Sequence, residues 1–431
     1  MLGRVNPVWV IVLMLTVWSI AASGTIRVHI ILKKVETDRL YETLITAPVK
    51  ADGQSLSLLV DTGSPKFFII EQHFGRTRSF EVCEIFGCYE CSTDLCEGKV
   101  AEVSYADETY ARIVQHRGTL ELGDRFIPGA EFGLVVEFKP ETSIVHASLG
   151  LGLYPYGAEM NNTPIMEQLT GRGLIGRDDF SIYFKPESRQ GGVEEGELIL
   201  GGEDPSKYSG PMLNARLFPF ANEWIVGLEG FVVGGQLMSK SNLPVYIDSG
   251  TSRFWLPHDI FNTVLHTLEA SATAPSGRTI EFEEIREGRF ALPNCSDRAY
   301  LPPLQLYLRQ DVFGRNFSNI FPDKLDSEEW PIVIPPELYV HYFARQQRCI
   351  LFLGRDPKGS KKLSSIGVSL LRNYYLHFQN GRRQIQFAEV AKTHDPLKSA
   401  EGETHGQKRR RERSGSLDTG ERKRLRVEMN L

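Results

Sequence analysis

Two aspartates, Asp61 and Asp248, stand in matching contexts and are the residues of this chain best suited to chemistry. The segment Leu58-Leu59-Val60-Asp61-Thr62-Gly63-Ser64 recurs as Val245-Tyr246-Ile247-Asp248-Ser249-Gly250-Thr251-Ser252, 187 positions further on. In each copy an apolar strand runs into an acid, a small hydroxyl residue and a glycine. The glycine permits a tight turn and leaves room for a neighbouring carboxylate or a water molecule.

If the two loops meet, the pattern predicts a pair of carboxyl groups that share one proton. Like charges held close together cannot both ionise readily, so the titrations of the pair are linked. The ionised carboxylate can take a proton from a bound water while its protonated partner donates to a peptide carbonyl. We expect Asp61 and Asp248 to be catalytic. Gly63 and Gly250 are expected to support the pair through the tight turns and the room that they provide. The neighbouring hydroxyl residues are expected to orient the loops and to hydrogen-bond the carboxylates: Thr62, Ser64, Ser249, Thr251 and Ser252.

An Asp-Thr/Ser-Gly segment by itself is more often an ordinary turn than a catalytic loop. Here, however, two copies occur, and each is followed by an apolar stretch that ends in glycine, at Gly150 and at Gly367. Two halves built on one plan indicate two β lobes related by an approximate two-fold axis. The cleft between the lobes is then the expected ligand site.

Short alternating apolar segments bounded by Gly, Pro, Asp or Asn predict a mainly β chain. One amphipathic helix is predicted over residues 259–270, with Asp259 capping its N-terminus after Pro257.

Over residues 40–391 the chain resembles the pepsin-like family of aspartic proteases. The resemblance rests on both aspartate motifs and on further segments that match the family: residues 180–184, 196–202, 223–226 and 371–378. It implies a mainly β, bilobal fold with a substrate cleft between two pseudo-symmetric lobes. It also implies that Gly63 and Gly250 lie beside the substrate backbone, with Thr251 and Ser252 lining the cleft. Residues 103–109 fall where the family has a flap over the substrate, which makes Tyr105 the expected flap tyrosine.

The chain departs from the family pattern at three places. The usual flap glycines are replaced by Ala106 and Glu108, and Phe68 replaces a tryptophan that hydrogen-bonds the flap tyrosine. Because phenylalanine has no N–H to donate, we expect a flap that is held differently. The stretch from Gly24 to Tyr41 leaves little room for the family's propeptide, so we expect an enzyme that needs no activating cut.

Charge and composition exclude some classes of partner. The formal net charge is −5 in total, with +4 carried by residues 392–431 and −9 by the remainder. An acidic body does not fit a nucleic-acid-binding protein, whose basic patch lies on the folded domain. The basic tail is predicted to be disordered, with contact to acidic lipid as an alternative role.

The N-terminus has the features of a targeting segment. Arg4 precedes an apolar run from Val8 to Ala22, which is followed by small residues. The predicted organisation is therefore a signal peptide or membrane anchor over 1–23, a first lobe over 24–205, a second lobe over 206–391 and a tail over 392–431. Membrane contact requires either that the N-terminal segment is retained or that the tail binds lipid.

The six cysteines follow the apolar segment and are even in number, as in proteins of oxidising compartments. Cys83, Cys88, Cys91 and Cys96 allow three pairings, of which we favour Cys83–Cys88 and Cys91–Cys96; Cys295–Cys349 closes a longer loop. A zinc site at the first four is the rival interpretation, but no histidine lies among them. Asn161, Asn294 and Asn316 begin glycosylation sequons.

The sequence thus predicts an aspartic-type endopeptidase, secreted or in a vacuole-like lumen, acting as a monomer on extended peptides without a metal or cofactor. Apolar residues beside the cut bond are expected by resemblance. The alternative is a pepsin-like protein that binds peptides without cutting them. An esterase is disfavoured because we find no Gly-x-Ser-x-Gly segment.

Overall fold

The computed structural model describes residues 24–36, 41–78, 80–91, 99–104, 109–139, 145–154, 163–186, 193–219, 221–239, 243–272, 274, 277–286, 288–310, 330–356 and 364–391. The predicted targeting segment and the basic tail lie outside these residues, as do Tyr105, Cys96, Asn161 and Asn316.

Strands dominate the described residues, as the alternating apolar pattern predicts. The largest sheet has the order β11-β25-β24-β9-β10-β1-β2-β3-β8-β4-β7-β6-β5. Its strands are β1 (Ile26–Glu36), β2 (Tyr41–Ala51), β3 (Gln54–Asp61), β4 (Phe68–Ile70), β5 (Val100–Ser104), β6 (Tyr110–Leu122), β7 (Arg125–Lys139), β8 (Ser148–Gly150), β9 (Asp179–Phe184), β10 (Glu194–Leu200), β11 (Tyr208–Arg216), β24 (Tyr374–Gln379) and β25 (Gln384–Val390).

Strands from both ends of the chain share this sheet, since β24 pairs with β9 and β25 pairs with β11. The segments 180–184 and 196–202, which carried part of the family resemblance, form the antiparallel pair β9–β10. Strands that precede residue 205 and strands that follow it therefore belong to the same sheet. The sheet marks no boundary there, so the division into lobes at 205/206 stays a prediction.

The second sheet, with the order β19-β18-β12-β14-β23-β15-β22 and β13 paired to β12, carries the second aspartate motif. Its strands are β12 (Ile225–Val233), β13 (Gln236–Ser239), β14 (Leu243–Asp248), β15 (Phe254–Leu256), β18 (Leu304–Leu308), β19 (Ile332–Ile334), β22 (Leu353–Arg355) and β23 (Ser364–Gly367). A smaller sheet has the order β16-β17-β21-β20: β16 (Glu283–Arg286), β17 (Arg289–Leu292), β20 (Val340–Phe343) and β21 (Arg348–Leu351).

Helices in the described residues are few and short. They are α1 (Gln72–Arg78), α2 (Phe80–Phe86), α3 (Ile165–Gly171), α4 (His258–Ser271) and α5 (Pro336–Tyr339), with 3₁₀ turns at Pro205–Lys207, Cys295–Tyr300 and Val368–Leu371. The predicted helix is α4, and it buries Phe261, Val264 and Leu268.

The predicted cap of α4 is wrong. Pro257 occupies the N-cap position without a side-chain cap bond, and Asp259 lies inside the first turn. There its negative charge complements the positive end of the helix dipole instead of bonding an N–H group.

The sheets enclose one extensive apolar core. Val60, Leu149, Ile247 and Ile366, which flank the two aspartate loops, are at most 1% exposed. Each loop is therefore anchored by a strand that cannot move without breaking core packing.

Candidate active site

The two aspartates occupy equivalent positions at strand ends. Asp61 ends β3, which runs parallel to β8 with Asp61 opposite Gly150. Asp248 ends β14, which runs parallel to β23 with Asp248 opposite Gly367. The two downstream apolar-glycine segments that the sequence paired with the aspartates are thus their strand partners.

Thr62 and Ser249 lock the two loops together through four reciprocal hydrogen bonds. The Thr62 N–H donates to Ser249 Oγ at 2.9 Å, and the Ser249 N–H donates to Thr62 Oγ1 at 2.9 Å. The Thr62 hydroxyl donates to Ile247 O at 2.8 Å, and the Ser249 hydroxyl donates to Val60 O at 2.6 Å. Both side chains are at most 2% exposed, so the bonds form out of contact with water. The two halves are therefore held loop to loop.

The carboxyl groups meet across this junction. A Cβ atom placed on Gly63 would lie 2.5 Å from Asp248 Oδ1, and one placed on Gly250 would lie 2.5 Å from Asp61 Oδ1. The same Gly250 position lies 3.1 Å from Asp248 Oδ1. Each glycine thus leaves the space that the opposite carboxyl occupies, as the sequence analysis predicted.

Backbone N–H groups supply most of the hydrogen bonds to the carboxylates. Gly63 donates to Asp61 Oδ1 at 2.9 Å, and Gly250 donates to Asp248 Oδ1 at 2.8 Å. The backbone of Ser64 and that of Thr251 add a bond to Asp61 and to Asp248, respectively. The expectation that the Thr62 and Ser249 hydroxyls bond the carboxylates is wrong, because both donate to backbone carbonyls of the opposite loop.

The remaining predicted hydroxyls also have partners outside the carboxyl pair. Ser64 Oγ accepts from the Lys66 N–H at 3.2 Å, and Thr251 Oγ1 accepts from Trp255 Nε1 at 3.1 Å. The Ser252 hydroxyl donates to Glu42 Oε2.

Burial raises the pKa of both aspartates above the ordinary value. Desolvation raises the pKa of Asp61, and the nearby charge of Asp248 raises it further. Desolvation also raises the pKa of Asp248, while backbone bonds from Gly250 and Thr251 oppose the rise. The rise is larger for Asp61, which is 5% exposed, than for Asp248, which keeps partial exposure. This environment favours a pair that keeps one proton at pH values where isolated aspartates are fully ionised.

Sequence reasoning missed several neighbours of the pair. Ser148 Oγ lies 3.3 Å from Asp61 Oδ2, and the Tyr246 hydroxyl donates to Gly63 O at 2.6 Å. Trp224 Nε1 donates to Leu151 O at 3.0 Å, next to the bond from the Leu151 N–H to Asp61 O. Tyr246 stands within the second aspartate motif and Ser148 within the apolar stretch that ends at Gly150, but only the strand register shows which way they face.

A buried ionic cluster lies behind the second loop. Arg253, 0% exposed, donates to Tyr41 O at 2.7 Å and to Leu351 O at 2.8 Å. Its Nε lies 3.6 Å from Glu42 Oε1, which is also 3.4 Å from Arg289. The cluster connects β2 of the first sheet to the loop that follows Asp248.

Phe68, the departure from the family's tryptophan, is fully buried and packs against His146 with ring centroids 5.6 Å apart. The expected flap tyrosine lies outside the described residues, so the different flap attachment stays a prediction.

Two disulfides agree with the favoured pairings: Cys83–Cys88 and Cys295–Cys349. Cys91 is also disulfide-bonded, and its expected partner Cys96 lies outside the described residues. Asn294 is exposed, and its side chain accepts from the Ser296 N–H at 3.1 Å.

Within the described ranges, no cluster of three His, Cys, Asp or Glu side chains is arranged to hold a metal ion. Nor does any helix in the described part of the chain have the length and apolar character needed to cross a membrane.

The chain belongs to the eukaryotic aspartyl protease family, whose model matches residues 44–390. The match includes both aspartate loops, their parallel partner strands and the junction between them. Pepsin-like relatives are similar at low identity over most of the chain. Gastricsin of Cavia porcellus is 26% identical over 346 residues, covering 78% of this chain and 77% of the relative. Gastricsin of Homo sapiens is 25% identical over 350 residues (78% and 79%), and pepsin-2B of Gadus morhua is 24% identical over 371 residues (83% and 98%).

Proposed function

We propose that this protein is an aspartic endopeptidase in which Asp61 and Asp248 activate one water molecule between them. The observation that carries the proposal is the approach of the two carboxyls, each seated against the glycine that follows the other aspartate. Family membership supports peptidase activity in general, and this geometry supports these two side chains as the groups that perform it.

The mechanism follows from a pair that holds one proton. The ionised carboxylate accepts a proton from the water as its oxygen attacks the peptide carbonyl carbon. The protonated carboxyl donates to the carbonyl oxygen, giving a neutral tetrahedral diol. Collapse of the diol breaks the C–N bond while the pair returns a proton to the leaving amine. Because water is the nucleophile, no acyl-enzyme forms.

The locked loops give this chemistry its geometry. The four bonds of Thr62 and Ser249 hold the two carboxyls at a fixed separation, so little reorganisation is needed when charge moves. Thr62, Gly63, Ser64, Ser249, Gly250 and Thr251 are proposed to support the pair, and Tyr105 and Ser252 to contact the substrate. The Ser252 part of the proposal requires its bond with Glu42 to open or to be shared.

The test is digestion of an unfolded protein across a range of acidic and neutral pH, with Asp61→Asn beside the wild type. We expect cleavage by the wild type and at least a ~10³-fold loss in the variant, as removal of a catalytic acid or base implies. Cleavage that survives Asp61→Asn would refute the assignment. Wild-type protein that binds the unfolded chain without cutting it would establish the non-catalytic alternative.

We also propose that the protein is made in the secretory pathway and is secreted or held in a lumen. The apolar segment Val8–Ala22 and the bonded cysteines support this route. Protein from a eukaryotic secreting host should fall in mass on treatment with an endoglycosidase. The shift should be reduced by Asn294→Gln, and an unchanged wild-type mass would remove glycosylation from the proposal.

A further inference from the structure

Ser148 is a side-chain hydrogen-bond donor to one carboxyl of the near-symmetric pair. It is the first residue of β8 and lies opposite Leu59 in β3, two positions before the partner glycine of Asp61. It is 0% exposed, and its Oγ lies 3.3 Å from Asp61 Oδ2. The other oxygen of this carboxyl, Oδ1, accepts from the Gly63 N–H. Both oxygens of Asp61 are therefore held, one of them by a side chain.

The second half of the repeat provides an internal comparison. Ser365 stands two positions before Gly367, opposite Tyr246 in β14, as Ser148 stands relative to Gly150. Among the residues that the structure describes, no hydrogen bond joins Ser365 to Asp248. The bonds to Asp248 come from the backbone of Gly250, Thr251 and Gly63. The same residue type at the same place in the repeat thus reaches the carboxyl in one half only.

We propose that Ser148 is a positioning residue for the Asp61 carboxyl, whose Oδ2 it holds, and that it favours the ionised form of this member of the catalytic pair. The inference rests on the proposed peptidase function. A hydroxyl donor stabilises the ionised form of the carboxylate that it bonds. Ser148 therefore opposes the burial and the Asp248 charge that disfavour ionisation of Asp61.

The other groups that face this pair are few. Asp248 lies beside Asp61, and the charge of Glu223 acts on Asp248. Tyr246 is influenced by both aspartates, and burial raises its pKa, so it stays neutral over the working range. None of these groups bonds Asp61 Oδ2 in the described residues. Removing the Ser148 hydroxyl should therefore change the titration of Asp61 more than that of the other groups.

The test compares the pH dependence of kcat/KM in the wild type, Ser148→Ala, Ser365→Ala and Ser148→Thr. Since Asp61 is the carboxyl that is harder to ionise, Ser148→Ala should move the alkaline limb to higher pH and leave the acid limb in place. A bond to a charged group that is as long as 3.3 Å predicts a shift of about half a pH unit. Ser365→Ala should leave both limbs unmoved, and Ser148→Thr, which keeps the hydroxyl, should restore the wild-type limb.

A lower plateau in Ser148→Ala without movement of the alkaline limb would show a purely structural role and overturn the proposal. An equal shift in Ser365→Ala would overturn it as well.

Titration of ¹³Cγ-labelled aspartate by NMR, with the Asp61 signal assigned by its loss in Asp61→Asn, gives a readout that needs no proteolysis. If the wild type cuts nothing but Ser148→Ala raises the pKa of Asp61, the function fails and the positioning role stands. If the wild type cuts and the Asp61 titration is unchanged in Ser148→Ala, the peptidase function stands and the positioning role of Ser148 fails.

Discussion

At the residue scale, the sequence reveals the acids and glycines of the site but not all of their neighbours. Asp61, Asp248, Gly63 and Gly250 are readable because their spacing repeats, and the structure places each carboxyl against the opposite glycine. Ser148 could not be found in this way, because its bond to Asp61 depends on the register between β3 and β8. The partners of Thr62 and Ser249 were misassigned for a related reason. Each of these hydroxyls lies next to a carboxylate in the sequence but donates to a backbone carbonyl of the opposite loop. The local sequence pattern does not reveal that contact.

The reciprocal bonds of Thr62 make a stability prediction at this scale. Thr62→Val keeps the shape of the side chain but leaves the Ser249 N–H and the Ile247 carbonyl without their buried partner. We expect the free energy of unfolding to fall by about 2 to 4 kcal/mol, measured by urea denaturation. Thr263→Val is the matched control, because the exposed Thr263 hydroxyl bonds a carbonyl of its own helix; it should change stability by no more than ~0.5 kcal/mol. Equal effects of the two substitutions would argue against a special role for the loop junction.

At the scale of elements, the parallel strand pairs β3–β8 and β14–β23 position the two loops. Their glycines are needed for close approach of backbone to backbone. A Cβ atom on Gly150 would lie 2.4 Å from Lys66 O, and one on Gly367 would lie 2.4 Å from Thr251 O. The sequence indicated these glycines as partners of the aspartates. Only the structure shows why a side chain is not tolerated there, because the backbone that follows each aspartate packs directly against the glycine.

Gly150→Ala should therefore displace the loop that carries Asp61. We expect a loss of about 1 to 3 kcal/mol in the free energy of unfolding, as overpacking of a core implies, together with reduced kcat/KM. Gly171→Ala is the control, since no atom lies within 4 Å of its added Cβ and it sits in α3. Alanine should there raise stability by about 0.5 to 1 kcal/mol. Thermal unfolding of both variants decides the matter, and a Gly150→Ala protein as stable and active as the wild type would contradict the account.

At the scale of the whole molecule, a buried histidine outside the carboxyl pair should govern part of the pH dependence of stability. His341 is 2% exposed and bonds Leu338 O at 2.8 Å through Nε2. Burial, Arg372, Lys34 and Arg253 all lower its pKa, while the bond to Leu338 raises it. A histidine with a lowered folded-state pKa contributes stability that is complete above ~6.5 and is lost as the pH falls. The two aspartates act with the opposite sign, since their raised pKa values favour folding at low pH.

Comparison with a variant that lacks only His341 separates the contribution of this histidine from that of the two aspartates. Between pH 7.5 and pH 5, the wild type should lose about 2 kcal/mol more of its free energy of unfolding than His341→Gln does. His266→Gln, at an exposed site on α4, should follow the wild-type curve. Urea unfolding at several pH values gives the slopes. Parallel curves for the wild type and His341→Gln would show that His341 does not govern this range.

Large parts of the whole molecule were predictable from the internal repeat, the alternating apolar pattern and the spacing of the cysteines. The mainly β fold, the pairing of each aspartate strand with its downstream glycine strand and two of the disulfides agree with the sequence analysis. The buried cluster of Arg253, Glu42 and Arg289 was not foreseen, because an arginine in a polar loop gives no sign of burial. The burial of such side chains can be recognised only when the packing of the surrounding sheets is known.

The central claim is that Asp61 and Asp248 act as one catalytic unit. The most direct measurement is kcat/KM on one peptide for Asp61→Asn, Asp248→Asn and the double variant, at the pH of maximal wild-type activity. If each aspartate works only with its partner, either single substitution should cost at least ~10³-fold and the double should cost no more than the worse single. Losses that multiply in the double variant, or a single variant that keeps wild-type activity, would contradict the account.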